Sequence, residues 1–189
     1  MIIYFIRHGK TQGNILRTYI GRTDEALSEL GIEEIKKNSY PSVSCVFVSP
    51  MRRCIETAKI IYPQNERIVI DELKECDFGD FEGKTYEELK DDVRYRNWIS
   101  GGSLEIAGGE NSDDFKQRCR NGFYKIISYC QENQIENIAV ICHGGTIMSI
   151  LEHAFGKSFY DWQAENGNGF CVSYDAATDQ ILTAERLFK

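Results

Sequence analysis

The stretch I-I-Y-F-I-R-H-G at residues 2–9 places an apolar run directly before an arginine, a histidine and a glycine. An apolar or aromatic run without polar alternation predicts a strand that is buried on both faces, as in a parallel sheet. The stretch I-A-V-I-C-H-G-G at 138–145 has the same form, because its apolar run also ends in histidine and glycine. Both stretches therefore predict central strands that carry polar groups to one edge of a sheet.

Strands and helices are predicted to alternate outward from these two stretches. Further strands are predicted over 43–48, 67–70, 169–174 and 181–187, the last two as a hairpin. Ser28 is predicted to cap a helix to about Asn38, and Ser49 to cap another with Pro50 at its first position. Two more helices are predicted from Ser112 to about Asn133 and from about Thr146 to Phe155. This order predicts a three-layer α/β/α sandwich with a mostly parallel central sheet.

Length and charge limit the domain count and the partners. At about 150 residues per domain, 189 residues predict a single domain over 1–189, with a small helical and loop cap from about 77 to 135. The chain carries 22 basic and 29 acidic residues, a net charge of −7, which argues against nucleic acid or an anionic membrane as a partner. No run reaches the roughly 18 apolar residues of a membrane span. The partner expected is a small molecule, and the oligomeric state is left open.

The seven cysteines and the N-terminus predict a cytoplasmic protein. The cysteine count is odd and no C-x-x-C spacing occurs, which makes a disulfide framework or a thiol-rich zinc site unlikely from the pattern. Several cysteines fall on apolar positions and are expected to be buried thiols in a reducing compartment. The first residues lack the basic start and the cleavage site of a signal peptide.

Polar residues follow three of the predicted strands where ligands bind in open α/β sheets, beyond the carboxyl ends. Arg7 and His8 follow the first strand, Arg52 lies in the helix after the second, and His143 and Gly144 follow the fourth. A cation in the first turn of a helix opposes the helix dipole at a cost of about 0.3–1 kcal/mol. We therefore expect an anion beside Arg52, with Arg7 as a second guanidinium. The pattern predicts a pocket for a tetrahedral dianion, most plausibly phosphate.

The histidines of that pocket have three interpretations: core residues, metal ligands or a nucleophile. His153 lies inside a predicted helix and is interpreted as structural, whereas His8 and His143 both directly follow buried strands. Two arginines would repel a metal cation, and the chain has no H-E-x-x-H pattern, so no metal is expected. An imidazole with an ordinary pKa of about 6.5 is available as a neutral nucleophile near pH 7.

Five motifs, in order along the chain, resemble the signatures of the histidine phosphatase superfamily, also called phosphoglycerate mutase-like. They are R-H-G-K-T-Q-G-N at 7–14, G-R-T-D-E-A-L-S-E-L-G at 21–31, S-P-M-R-R-C-I-E-T-A at 49–58, L-K-E-C-D-F-G-D-F-E-G at 73–83 and H-G-G at 143–145. The third is similar to the family pattern S-P-x-x-R-x-x-x-T-A. The resemblance implies a phosphoglycerate mutase-like fold and a phosphatase of the small bacterial branch that includes α-ribazole phosphatases.

The resemblance also implies a role for each matched residue. His8 is implied as the nucleophile that becomes a transient phosphohistidine. Glu75 is implied as the acid that protonates the leaving oxygen and then activates water. The groups implied to hold the phosphoryl oxygens are Arg7, Asn14, Arg52, His143 and the backbone at Gly144. Neither a metal nor a cofactor is implied, because arginines and imidazoles supply the positive charge.

Three functions remain open from the sequence. The first is a metal-independent phosphomonoesterase acting on a small phosphorylated metabolite, of the α-ribazole 5'-phosphate, sugar phosphate or nucleotide class. The second is a cofactor-dependent phosphoglycerate mutase; mutases of this family are longer, carry an arginine pair before the last motif and usually end it as H-G-N. The third is a non-catalytic phosphate-binding module. The sequence does not assign the roles of Lys10, Asp80 and Glu82.

Overall fold

A six-stranded sheet forms the centre of the computed structural model, which describes residues 1–101 and 105–188. The strands are β1 (Ile2–Arg7), β2 (Cys45–Val48), β3 (Arg67–Val69), β4 (Asn137–Cys142), β5 (Gly169–Asp175) and β6 (Gln180–Arg186). Their order across the sheet is β3-β2-β4-β1-β5-β6. β3, β2, β4 and β1 run parallel, and β5 and β6 continue the sheet antiparallel. The mostly parallel sheet and the final hairpin are confirmed.

Helices lie on both faces of this sheet. They are α1 (Gln12–Leu16), α2 (Glu29–Lys37), α3 (Arg52–Ile61), α4 (Tyr86–Leu89), α5 (Val93–Ile99), α6 (Ser112–Glu132) and α7 (Gly144–Phe155). α3 packs over one face of the sheet through Cys54 and Ala58. The apolar side of α6 packs with α7 over the other face, where Phe123 contacts Phe5. The predicted α/β/α sandwich is therefore confirmed.

The helix boundaries follow local chemistry, with one correction. Ser28 caps α2 by accepting the backbone N–H of Gly31, as predicted. Ser49 and Pro50, predicted to open α3, precede it: the helix begins at Arg52, and its N-cap Met51 makes no side-chain hydrogen bond. The prediction for Ser49 is wrong because its hydroxyl bonds the His143 ring instead.

The sheet register brings two motifs side by side. Arg7, the last residue of β1, pairs with Cys142, the last residue of β4. The backbone N–H of His8 then donates to the carbonyl of Cys142 at 3.0 Å. His8 and His143 consequently leave two neighbouring strands at the same edge.

In the described part of the chain, no helix combines the length and apolar character needed to cross a bilayer.

Each of the seven cysteines is a free thiol, and all except the half-buried Cys171 are buried.

Candidate active site

His8 is a buried, neutral imidazole with one nitrogen available for chemistry. Its side chain is 4% exposed, and its ring lies 5.2 Å from the ring of His143, edge to face. Nδ1 lies 2.7 Å from the carbonyl oxygen of Gly9. Since a carbonyl only accepts, Nδ1 carries the proton and Nε2 keeps its lone pair. Burial, and after it the positive charges of Arg53 and Arg7, hold the pKa of His8 well below its ordinary value.

His143 is fully buried between a hydroxyl and a guanidinium. Its Nε2 lies 2.8 Å from Ser49 Oγ, and Nε of Arg53 donates to its Nδ1 at 3.3 Å. Because Nδ1 accepts, the ring proton lies on Nε2 and is donated to Ser49. Burial, then Arg53 and His8, lower the pKa of His143 well below its usual range. The ring is therefore held neutral and in a fixed orientation.

Two guanidiniums, one buried and one half-buried, flank these rings. Arg53 is 1% exposed and donates through Nη1 and Nη2 to the carbonyls of Thr23 and Gly21, both at 2.8 Å. Arg7 donates through Nη1 to the carbonyl of Ala164 at 2.8 Å. Among the described residues, its buried Nε has no hydrogen-bond partner. Burial lowers the pKa of Arg7 from its ordinary value. Two cations and an unpaired buried donor in one place fit an anionic ligand.

The structure places Arg52 outside the cluster formed by the two histidines, Arg7 and Arg53. The second arginine that is a candidate for binding phosphate is therefore Arg53. The Arg52 side chain is 60% exposed and its Nε donates to Glu56 at 2.7 Å. Its backbone N–H donates to Asp24 Oδ1, also at 2.7 Å. The anion expected at the start of α3 is therefore supplied by the carboxylates of the chain itself. Counted from Ser49, the arginine of the family pattern S-P-x-x-R falls at position 53. The motif therefore already indicated Arg53 and not Arg52.

Glu75 brings a buried carboxyl group to the same edge. Its Oε2 accepts the backbone N–H of Gly145 at 3.0 Å, and its Oε1 accepts that of Cys76 at 3.0 Å. Burial raises the pKa of Glu75, against the opposing effect of these two N–H groups and of the nearby arginines. A Cβ on Gly145 would lie 2.3 Å from Oε1, so only glycine leaves room for this carboxyl. Glu75 thus meets the requirement for a proton donor.

Asn14 and Gly144 lie next to the two histidine motifs. Asn14 Oδ1 accepts from the backbone and hydroxyl of Thr11 and from Nδ2 of Asn166, which leaves its own amide N–H₂ as a donor. Asn166 also donates to the carbonyl of His8 at 3.0 Å. Gly144 opens α7, and a Cβ there would lie 3.4 Å from Cζ of Arg7. The sequence analysis missed Asn166, which no periodic pattern indicates.

The three residues without assigned roles lie apart from the histidine rings. Lys10 forms an ion pair with Glu34, and Asp80 pairs with Arg94 at the surface. Glu82 accepts the backbone N–H groups of Gly21 and Arg22 and the hydroxyl of Thr23. Glu82 therefore holds the loop whose carbonyls bind Arg53. His153 is exposed near the end of α7, as its structural interpretation allows.

Together these groups suit transfer of a phosphoryl group. A neutral imidazole nitrogen can attack phosphorus, and two guanidiniums can hold the equatorial oxygens. The raised pKa of Glu75 allows its carboxyl to carry a proton for a leaving oxygen. The imidazole and the guanidiniums lie at or after the ends of strands. The Glu75 carboxyl belongs to the segment that contacts the start of α7.

Comparison with known proteins identifies the family to which the chain belongs. The family model "Histidine phosphatase superfamily (branch 1)" matches residues 3–183. The chain therefore belongs to the histidine phosphatase superfamily, branch 1, as the five motifs predicted. Its fold is similar to the crystal structure of the α-ribazole phosphatase from Shigella flexneri, with a TM-score of 0.83 and 23% identity over 97% of this chain and 95% of that one.

Curated relatives carry several names. An adenosylcobalamin/α-ribazole phosphatase of Escherichia coli is 28% identical over 99% of this chain and 98% of its own length. A putative phosphoserine phosphatase of Hydrogenobacter thermophilus is 28% identical over 79% of this chain and 76% of its own. A bifunctional protein of Mycobacterium tuberculosis is 31% identical over 134 residues, 66% of this chain. This chain spans only 37% of the length of that longer relative.

Proposed function

We propose that the protein is a metal-independent phosphomonoesterase that hydrolyses a small phosphorylated metabolite through a phosphohistidine at His8. The observation that carries the proposal is the His8 ring: Nδ1 is held by the Gly9 carbonyl, so Nε2 is free to attack. The buried Arg53 and the half-buried Arg7 lie beside it, and a carboxyl with a raised pKa lies at the same edge. This combination supplies a nucleophile, charge stabilisation and an acid.

The reaction has two balanced steps. In the first, the Nε2 lone pair of His8 bonds to phosphorus while the bond from phosphorus to the leaving oxygen breaks, and the Glu75 carboxyl protonates that oxygen. In the second, a water oxygen bonds to phosphorus and the nitrogen–phosphorus bond breaks, returning the electron pair to Nε2. The Glu75 carboxylate takes the proton of the water. The products are an alcohol and inorganic phosphate.

Binding of the phosphoryl oxygens is assigned to five groups. Arg7 offers its unpaired Nε, and Arg53 adds a second fixed positive charge. The other three groups are the amide of Asn14, the backbone at Gly144 and the ring of His143, whose Nε2 proton would exchange Ser49 for a phosphoryl oxygen when the ligand binds. Arg7 and Arg53 are already held by backbone carbonyls, so little reorganisation is needed when charge develops in the transition state.

For the substrate we propose a small phosphomonoester, because the relatives at 28% identity are named α-ribazole phosphatase and putative phosphoserine phosphatase. The part of the cap from 77 to 111, before α6, and the loop before the last strands are the proposed source of specificity. Of its aromatic residues, Tyr95 is 1% exposed and bonds the hydroxyl of Tyr19, whereas Tyr86 is 54% exposed. Tyr86 is therefore better placed than Tyr95 to meet a ligand. The free thiols suit a reducing cytoplasm, which we propose as its location.

Replacement of Glu75 by glutamine tests the acid step. Glutamine keeps the size of the side chain but cannot supply a proton, so kcat/KM for an alkyl phosphate, which reports the steps up to release of the leaving group, should fall by about 10²–10⁴-fold. The kcat/KM for p-nitrophenyl phosphate should fall by less than about tenfold, since its leaving group needs little protonation. Steady-state kinetics on both substrates measure the difference. Equal losses would mean that Glu75 only supports the fold or positions the phosphate.

The mutase alternative is tested with 3-phosphoglycerate and catalytic 2,3-bisphosphoglycerate. Retransfer needs extra cations to hold the product and a site closed to water. Arg94 is already paired with Asp80 and Asp92, and Arg118 with Glu110. We therefore expect slow release of phosphate and negligible 2-phosphoglycerate, both measured by enzymatic product assay. Formation of 2-phosphoglycerate faster than phosphate would establish the mutase instead.

A further inference from the structure

Arg118, on α6, binds the backbone of the segment that carries Glu75. Its Nη1 donates to the carbonyls of Glu72 and Lys74 at 2.8 and 2.9 Å, and its Nη2 donates to the carbonyl of Glu75 at 3.3 Å. Three backbone carbonyls, two before Glu75 and that of Glu75 itself, thus share a single guanidinium. This segment has no sheet partner to hold it, because β3 ends at Val69.

Glu110 completes the arrangement from the residue before the N-cap of α6. Both of its oxygens accept from Arg118, Oε1 from Nε at 2.8 Å and Oε2 from Nη2 at 2.7 Å. Its backbone N–H donates to the carbonyl of Asp77 at 2.9 Å. The pair is mostly buried, with 20% of the Arg118 side chain and 14% of the Glu110 side chain exposed. A bidentate pair with little exposure has a fixed geometry.

The same helix turn also contacts the surroundings of the Glu75 carboxyl. The Arg118 guanidinium lies 5.3 Å from the ring centre of Phe115. Phe115 Cζ lies 3.1 Å from the point where a Cβ on Gly145 would stand, and Gly145 donates to Glu75. One turn of α6 therefore contacts both the backbone of Glu75 and the residue that binds its carboxyl.

We propose that Arg118, fixed by Glu110, is a positioning residue for Glu75, holding the 72–77 backbone so that the carboxyl reaches the leaving oxygen of the substrate. The inference rests on the proposed function, in which Glu75 is the acid. Displacement of a catalytic group by about 1 Å lowers rates by as much as about 10²-fold. Arg118 does not itself touch the phosphoryl group; it acts through the position of Glu75.

The test compares an alkyl phosphate with p-nitrophenyl phosphate in the variants Arg118→Lys, Arg118→Met and Glu110→Gln. Lysine keeps the charge but cannot bind three carbonyls and a carboxylate as a planar fork. We expect the ratio of kcat/KM for the alkyl phosphate to kcat/KM for p-nitrophenyl phosphate to fall by about tenfold or more in each variant, because a misplaced acid affects the poorer leaving group most. Arg120→Met on the same helix, whose guanidinium bonds Gln117, should leave the ratio unchanged.

Combination with Glu75→Gln separates failure of this inference from failure of the proposed function. In the Glu75→Gln background, Arg118→Lys should not lower the ratio of alkyl to p-nitrophenyl activity any further, since the acid is already absent. A normal ratio in Glu75→Gln itself would overturn the acid role. A lowered ratio in Glu75→Gln with unchanged ratios in the Arg118 and Glu110 variants would overturn the positioning role alone. Thermal unfolding and vanadate inhibition identify variants that no longer fold. If Arg118→Met does not fold, the kinetics of Arg118→Lys and Glu110→Gln decide whether Arg118 positions Glu75.

Discussion

Replacement of His8 by alanine should abolish turnover of every phosphomonoester, with kcat lowered by about 10⁵-fold or more. The reason is chemical, because no other described group at this edge offers a neutral imidazole nitrogen: His143 has Nδ1 on Arg53 and Nε2 on Ser49. The substitution removes a ring that is buried but bonded only to the neighbouring Gly9 carbonyl. Steady-state assay of phosphate release gives the loss directly.

His153→Ala is the matched control, since His153 is exposed on α7. It should keep full activity. The His8 variant should still unfold cooperatively and should still bind orthovanadate, although more weakly, because the arginines remain. If His8→Ala retained activity within about tenfold of the unaltered protein, the assignment of the nucleophile would be wrong.

The second large effect is expected from a matched pair of neighbours, Arg53 and Arg52. Arg53→Met should lower kcat/KM by about 10³-fold, since it removes a fixed charge beside both histidines. Arg52→Met should change kcat/KM by less than about threefold, because its exposed pair with Glu56 is of the kind that contributes little. Parallel kinetics on the two variants measure the contrast.

Arg53→Met also leaves the carbonyls of Gly21 and Thr23 without their donor, which destabilises the loop. Arg53→Lys provides the second variant, because it restores the charge but not the fork. It should recover part of the activity in a folded protein, as checked by thermal unfolding. Larger losses from Arg52 variants than from Arg53 variants would assign the phosphate-binding role to Arg52 instead.

Much of the fold could be predicted because its central strands have no polar alternation. β1 and β4 are buried on both faces, so their runs stand out against the surrounding sequence. His8 and His143 directly follow the apolar runs of β1 and β4. Because the two strands pair in parallel register, the two histidines are neighbours. The short helices α4 and α5 could not be predicted in the same way, because segments of four and seven residues are too short to show a helical period.

The choice between Arg52 and Arg53 shows where local reasoning fails. The dipole argument placed a ligand anion beside Arg52, but the carboxylate at that helix end is Asp24, 28 residues earlier in the chain. The buried face of α3 contains Arg53, Cys54, Thr57 and Ala58, so the helical period favours Arg53 as the inward residue.

The environment of Glu75 could not be read from the sequence. Its contacts with Gly145 and Arg118 join residues 70 and 43 positions apart, and no repeat or spacing announces them. The motif position identified Glu75, whereas Asp80 and Glu82 were equally acidic neighbours by composition. Only the fold distinguishes the buried carboxyl of Glu75, bonded to the first turn of α7, from Asp80 in a surface ion pair and Glu82 bonded to a loop backbone.

The central claim is that a covalent phosphohistidine forms at His8, and rapid acid-free quenching with ³²P-labelled substrate tests it most directly. Digestion and mass spectrometry should locate one phosphoryl group on the peptide that contains His8, stable in base and labile in acid. The same label should be absent in His8→Ala and should accumulate in Glu75→Gln with p-nitrophenyl phosphate, because activation of water is then slowed. A label on any other residue, or turnover with no labelled protein at any quench time, would contradict the account.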